Sequence, residues 1–99
     1  MENRILASFV TVAEEGQIAR AAAKLHISQP PLSRHIQMLE RDLGVVLFRR
    51  TTSGMELTDA GRSLYKDAKN IQTYVQEATK RARLVGSGKT GEISVGVYG

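Results

Sequence analysis

Apolar positions in the first half of the chain recur at steps of three and four, broken by glycines and polar turns, which predicts a run of short amphipathic helices. Over residues 3–15, Ile5, Phe9, Val12 and Ala13 form one stripe, and this helix should end near Gly16. Gln17 and Ile18 open a second, alanine-rich helix with Ile18, Ala21, Ala22 and Leu25 inward; alanine permits close helix packing and has the best helix propensity. His26 and Ile27 make a tight turn. Ser28 then opens a third helix, with Leu32, Ile36, Leu39 and Leu43 on one face and Gly44 as its stop. Two helices joined by so few residues make a helix-turn-helix.

Past Gly44 the period changes. Val45-Val46-Leu47-Phe48 is apolar and β-branched, Arg49-Arg50-Thr51-Thr52-Ser53-Gly54 is polar and turn-forming, and Met55-Glu56-Leu57 alternates. This predicts a β-hairpin with two arginines at its tip and a positive φ at Gly54. Thr58 should cap a long helix reaching about Val85. Within it Ala60, Leu64, Ala68, Ile71, Val75, Ala78, Ala82 and Val85 form a heptad-like seam. The small domain before it offers too little surface to bury such a seam, so a partner chain is expected, with alanines letting two helices approach closely.

Residues 86–91, Gly-Ser-Gly-Lys-Thr-Gly, end like a phosphate-binding loop, but that pattern needs glycine at position 83, which is Arg. A flexible linker is the better reading. Residues 92–97 then look like a strand on which the chain stops, as if a larger protein had been cut there. The expected division is a winged helix-turn-helix over 1–58, a linker or dimerisation helix over 59–86, and a hinge with a first strand of an absent domain over 87–99. The fold class is mainly α.

The polar face of the third helix carries the chemistry. Ser33, Arg34, Gln37 and Arg41 lie opposite the apolar stripe, with Gln29 at the entrance. Hydroxyl, guanidinium and amide groups at the start of a firmly anchored helix are what reading base edges in a major groove requires. Pro30 suits the first helical turn, where a missing N–H costs nothing. Because Pro30 and Pro31 both lack an N–H, the Ser28 hydroxyl should reach the N–H of Leu32 or face a phosphate. The residue three beyond the cap is Pro31, so there is no capping box.

Composition narrows the alternatives. Ninety-nine residues form one small domain without room for a cleft between domains. Cysteine is absent, which excludes disulfides, thiolate nucleophiles and cysteine zinc sites, and the two histidines, His26 and His35, are isolated. No nucleophile–base pair or carboxylate dyad has supporting context; Glu14, Glu15, Glu40 and Asp42 read as surface charges. No catalytic residue, metal or cofactor is expected. Without a bilayer-length apolar run or a signal-peptide pattern, the chain reads as soluble and cytoplasmic. Residues 1–58 carry seven Lys/Arg against six Asp/Glu, and residues 59–90 seven against three. This suits a polyanionic partner, with a reader of base edges in the first half and not a coat of positive charge. An interaction module is the rival reading, since winged helices also bind proteins.

Taken in order, Phe9-Val10-x-Val12-Ala13-Glu14, Ala21-Ala22-x-x-Leu25, Ile27-Ser28-Gln29-Pro30-Pro31-Leu32-Ser33-Arg34-x-Ile36, Leu39-Glu40, Leu43-Gly44, Leu47-Phe48-x-Arg50 and Leu57-Thr58-x-Ala60-Gly61 resemble the N-terminal domain of a LysR-type transcriptional regulator. The chain departs at His35, where members often carry Gln. The Ser-Gln-Pro-Pro form is similar to regulators of aromatic-compound breakdown. The resemblance implies a dimeric, usually tetrameric, regulator of double-stranded operator DNA. It further implies RNA polymerase as a partner open to the parent protein, and a small co-inducer that would bind only in the absent domain. Gln29, Pro30, Pro31, Ser33 and Arg34 are then the base-reading candidates. Ser28, His35, Gln37, Arg49, Arg50 and Ser53 are candidates for the backbone or minor groove, with Lys24 and Thr58 weaker ones. Leu64, Ala68, Ile71, Val75, Ala78 and Ala82 are the dimerisation candidates.

Overall fold

Glycines and prolines punctuate the chain as expected. The computed structural model describes residues 3–88. It contains α1 (Asn3–Glu15), α2 (Ile18–Leu25), α3 (Gln29–Leu43), β1 (Phe48–Thr51), β2 (Gly54–Leu57) and α4 (Asp59–Gly86). Gly16 and Gly44 take left-handed φ of 75° and 71° after α1 and α3. His26 does the same after α2 at φ 59°, a conformation rare for a non-glycine residue, while the N–H of Ile27 donates to the Ala22 carbonyl at 3.0 Å.

The chain divides after Lys69 into two compact units. In the first, Leu6, Phe9, Val10, Val12, Ala21, Ala22, Leu32, Ile36, Leu39, Leu47, Phe48 and Ala68 form one buried cluster. Phe9 of α1 meets Phe48 at the start of the wing, ring centroids 5.5 Å apart and tilted by 55°. The predicted stripes hold in outline. In α1, however, Leu6, Ser8 and Val10 are also buried, while Ile5 and Ala13 only flank the cluster. Leu43 is no part of the buried face of α3; it is 44% exposed in the last turn, beyond the reach of the core.

The hairpin differs from its sequence expectation. Val45 and Val46 are exposed and precede the sheet, and the arginines lie inside β1. The antiparallel register pairs Phe48 with Leu57, Arg49 with Glu56, Arg50 with Met55 and Thr51 with Gly54, so only Thr52 and Ser53 form the tip. The reason lies in where the backbone groups of residues 46–48 go. The N–H groups of Leu47 and Phe48 donate to a Glu40 carboxylate oxygen, and the carbonyls of Val46 and Leu47 accept from the Thr58 hydroxyl and N–H. These partners replace a ladder before Phe48.

Thr58 caps α4, its hydroxyl accepting the N–H of Gly61 at 3.0 Å while donating to Val46 at 2.6 Å. Gly61 is buried there, packed so closely that a Cβ would collide with the Leu47 carbonyl and Leu57. The first turns of α4 belong to the winged unit. Ala60, Leu64 and Tyr65 pack against its core, and Ala68 lies wholly within it. The expected boundary at residue 58 therefore marks the start of a helix and not the edge of a folded unit.

In the second unit, from Asn70, the remainder of α4 leaves Ile71, Tyr74, Val75, Leu84 and Val85 exposed. Arg81 stacks over the Tyr74 ring at 5.9 Å and pairs with Glu77 at 3.9 Å. Of the hinge and strand expected over 87–99, Ser87 and Gly88 form a turn. The rest, including the strand over 92–97, lies outside the described residues.

Candidate nucleic-acid interface

The buried face of α3, made by Leu32, Ile36 and Leu39, fixes which side chains it leaves outside. Pro30, Arg34, Gln37 and Arg41 are exposed, Ser33 is half-buried, and all five share the opposite face by helical spacing. Gln29 is exposed at the entrance, with Pro31 half-buried behind it. Prolines occupy the first turn, whose orphan N–H positions tolerate them. Ser28 sits in extended backbone and its side chain makes no capping hydrogen bond. Of the two partners expected for its hydroxyl, the N–H of Leu32 is not taken.

The wing contributes the cations. Successive strand residues face opposite sides of a sheet, so Arg49 and Arg50 diverge. Arg50, opposite Met55, joins Ser33, Gln37 and Glu40 of α3 in lining a cleft of about 150 Å³ between helix and wing. Arg49 stands across from Glu56. Among the described residues neither they nor Arg34 makes an ion pair, so their charges remain available to an anionic partner. Ser53 lies at the exposed tip, its hydroxyl 3.3 Å from that of Thr51.

Three other candidates are otherwise engaged. The half-buried His35 places Nδ1 2.9 Å from the hydroxyl of Ser8, a buried polar residue of α1, and thereby helps to hold α3 against α1. Thr58 uses its hydroxyl as donor and acceptor within the fold, which removes it as a phosphate ligand. Lys24 pairs with Glu15 at 3.2 Å on the surface. Among the dimerisation candidates, Ala68 has no exposed surface and Leu64 is half-buried against the core, so these two cover the winged domain itself.

Two acidic residues and one amide have structural duties that composition alone does not reveal. Glu14 accepts the Tyr65 hydroxyl at 2.7 Å and pairs with Lys69 at 3.1 Å, joining α1 to α4. The Tyr65 hydrogen bond, followed by the Lys69 ammonium, holds the Glu14 carboxyl below its ordinary value; the same contact raises Tyr65 and Lys69. Glu40 is no free surface charge either, because it accepts two wing amides. Gln17, half-buried before α2, donates through Nε2 to the Ser53 carbonyl at 3.3 Å and so tethers the wing tip. The stripe Ser33, Gln37, Glu40 is the sequence signal that could have marked Glu40, since those positions share one helix face. No comparable signal marks Gln17.

No group of residues that could hold a metal ion occurs among the described residues, and no described helix is long and apolar enough to cross a membrane.

Comparison with known proteins bears on the family and the fold. A family model described as a bacterial regulatory helix-turn-helix protein, lysR family, matches residues 4–62. The chain is 50% identical over 99 residues to the HTH-type transcriptional regulator ClcR of Pseudomonas putida, a match covering all of this chain and 34% of ClcR. It thus spans about a third of that regulator's length. The crystal structure of the CbnR DNA-binding domain in complex with DNA superposes with a TM-score of 0.82 at 46% identity, covering 87% of this chain and 99% of that one. For the BenM DNA-binding domain bound to catB site 1 DNA the TM-score is 0.86 at 40% identity, with 89% and 99% covered.

Proposed function

This chain belongs to the lysR family of bacterial regulatory helix-turn-helix proteins, and we propose that its winged domain reads a specific double-stranded DNA site from the major groove with Gln29, Pro30, Pro31, Ser33 and Arg34. Its relatives are named as transcriptional regulators and not as enzymes. The observation that carries the residue assignment is the exposed polar face of α3 standing beside Arg50 across one cleft, with Arg34, Arg49 and Arg50 free of ion pairs among the described residues. Arg34 and Gln29 offer donors to base acceptors, Arg favouring guanine, and Pro30 offers CH₂ groups to a thymine methyl. Arg49, Arg50 and Ser53, with Ser28 and Gln37, hold the phosphates or the adjacent minor groove.

In this reading two copies associate through the outer part of α4, at Ile71, Val75, Ala78 and Ala82, and bind an interrupted inverted repeat. A place in the cytoplasm beside the nucleoid follows from that partner. Tetramer formation, contact with RNA polymerase and response to a small co-inducer are attributes the family reading would assign to residues other than these, and no described residue is proposed for them.

Selection of duplexes from a random library by the wild-type chain, followed by fluorescence anisotropy over a salt series, tests the reading. One enriched motif should emerge, bound more tightly than a scrambled duplex, with affinity for both falling as salt rises. Failure to enrich any motif, with salt-dependent binding alone, would reduce the domain to a general polyanion binder.

A further inference from the structure

The wing is fastened to the rest of the domain at several points, and they differ in which element does the fastening. Gly16 accepts the N–H of Met55 and Gln17 donates to Ser53, so the corner between α1 and α2 holds the tip. Thr58, before α4, holds residues 46 and 47. Among the described residues, the side-chain hydrogen bonds from α3 to the wing segment all end on Glu40. One carboxylate oxygen accepts the N–H of Leu47 at 2.7 Å and that of Phe48 at 3.3 Å. The Glu40 backbone carbonyl also accepts the N–H groups of Gly44 and Val45, at 2.8 and 3.3 Å. A single residue of the reading helix thus grips both ends of the segment that leads into β1.

That grip bears on the DNA-facing groups. Leu47 is 1% exposed, so its N–H has no ready access to water and needs an acceptor in place. Arg49 and Arg50 follow Phe48 directly, so a shift at Phe48 passes straight to them. On α3, Glu40 shares the stripe of Ser33 and Gln37, the residues that face Arg50 across the cleft.

We propose that Glu40 is a positioning residue for DNA binding: its carboxylate sets the placement of the Arg49 and Arg50 wing relative to the reading face of α3, and through it the affinity with which the domain holds DNA. The inference rests on the DNA-binding reading above. Glu40 touches no base or phosphate in this scheme; its reach and its acceptor oxygen matter, and its negative charge does not.

The test compares Glu40→Gln, Glu40→Asp and Glu40→Ala, using the duplex enriched by the wild-type chain and a scrambled duplex, in fluorescence anisotropy far below each variant's Tm. Gln keeps an acceptor at the right reach without the charge, and should stay within about twofold of wild type. Asp keeps the charge but is one methylene short, and should lose about tenfold in target affinity, as Ala should. Combined with Arg49→Ala and Arg50→Ala, the Asp variant should add less than about twofold to the loss those changes cause, since the groups it positions are gone. If the Ala variant does not fold, the Gln and Asp pair decides alone. Tighter binding of both duplexes by the Gln variant would make charge the operative property and overturn the proposal. So would wild-type affinity of the Asp variant, or an undiminished loss in the arginine-free background. Lack of any enriched motif for the wild-type chain overturns the DNA reading itself, whereas enrichment with an unaffected Asp variant overturns only the role of Glu40.

Discussion

Gly54 at the wing and Gly16 at the corner between α1 and α2 pack backbone against backbone. A side chain on Gly54 would collide with the Gly16 carbonyl oxygen, the same oxygen that accepts the N–H of Met55 at 2.8 Å. The approach is possible because Gly54 has no Cβ and adopts φ +144°, which other residues rarely adopt. The wing is therefore set by its contact with the corner between α1 and α2, which fixes where β1 and its arginines lie within the domain.

Gly54→Ala should cost about 1–3 kcal/mol, from backbone strain and the clash together. Gly16→Ala has open space around it and only a left-handed φ to support, so about 1 kcal/mol is expected there. Urea denaturation followed by circular dichroism compares the two. Equal losses would mean that the corner yields to the wing and that the close approach fixes nothing.

Arg34→Ala should cost about 1–3 kcal/mol of target affinity and relax preference at one base position. Arg50→Ala should weaken target and scrambled duplex alike and flatten the salt dependence, because its proposed partner is a phosphate or a minor groove whose field is not specific to sequence. Anisotropy titrations at several salt concentrations separate the two behaviours. If both variants lose specific and non-specific binding in the same proportion, the division of labour between α3 and the wing is wrong.

The helices were legible in the chain because their apolar period is long and their ends carry glycine, proline and threonine. The polar face of α3 was legible for the same reason, since burying Leu32, Ile36 and Leu39 leaves Arg34 and Gln37 outside whatever the tertiary details. Contacts distant in sequence were not. Val45 and Val46 have the composition of a strand, but Glu40 and Thr58 take the backbone groups of residues 46–48, and pairing starts only at Phe48. The heptad-like seam of α4 has one period throughout but two destinations. Leu64 and Ala68 meet the domain core, while Ile71 and Val75 remain 45% exposed. Periodicity shows that a face is apolar; it does not show which surface covers it.

Acid should loosen the join between α1 and α4. Glu14 is held below its ordinary value of 4.5 by the Tyr65 hydroxyl and the Lys69 ammonium, so its contribution to stability is present above that value and fades as pH falls through the depressed one. Tyr65 and Lys69 are raised, so their share is present below their ordinary values of 10.0 and 10.5 and is lost as pH climbs past them. Wild type should thus exceed Glu14→Gln in Tm by a constant margin across neutral pH, with the margin narrowing below about pH 4.5. A margin that persists unchanged into strong acid would assign the effect to packing and not to the carboxylate.

Association through the outer seam of α4 is proposed because its inner part is already covered. Ala68 is buried and Leu64 half-buried within the winged unit, but Ile71, Val75 and Val85 are 45%, 45% and 61% exposed, with Ala78 and Ala82 between them. Completing the burial of each large side chain against a second helix is worth on the order of 1 kcal/mol, and the alanines allow that helix to come close. Ile71→Asp with Val75→Asp should therefore give monomers by sedimentation equilibrium, leave the Tm of the winged domain nearly unchanged, and abolish tight binding to a two-half-site duplex. Leu64→Asp should behave differently, lowering the Tm because it strikes the domain core. Half-sites separated by about one helical turn or a multiple of it should bind best, since two linked reading helices then meet the same face of the duplex. A double variant that still sediments as a dimer places the interface elsewhere on the chain.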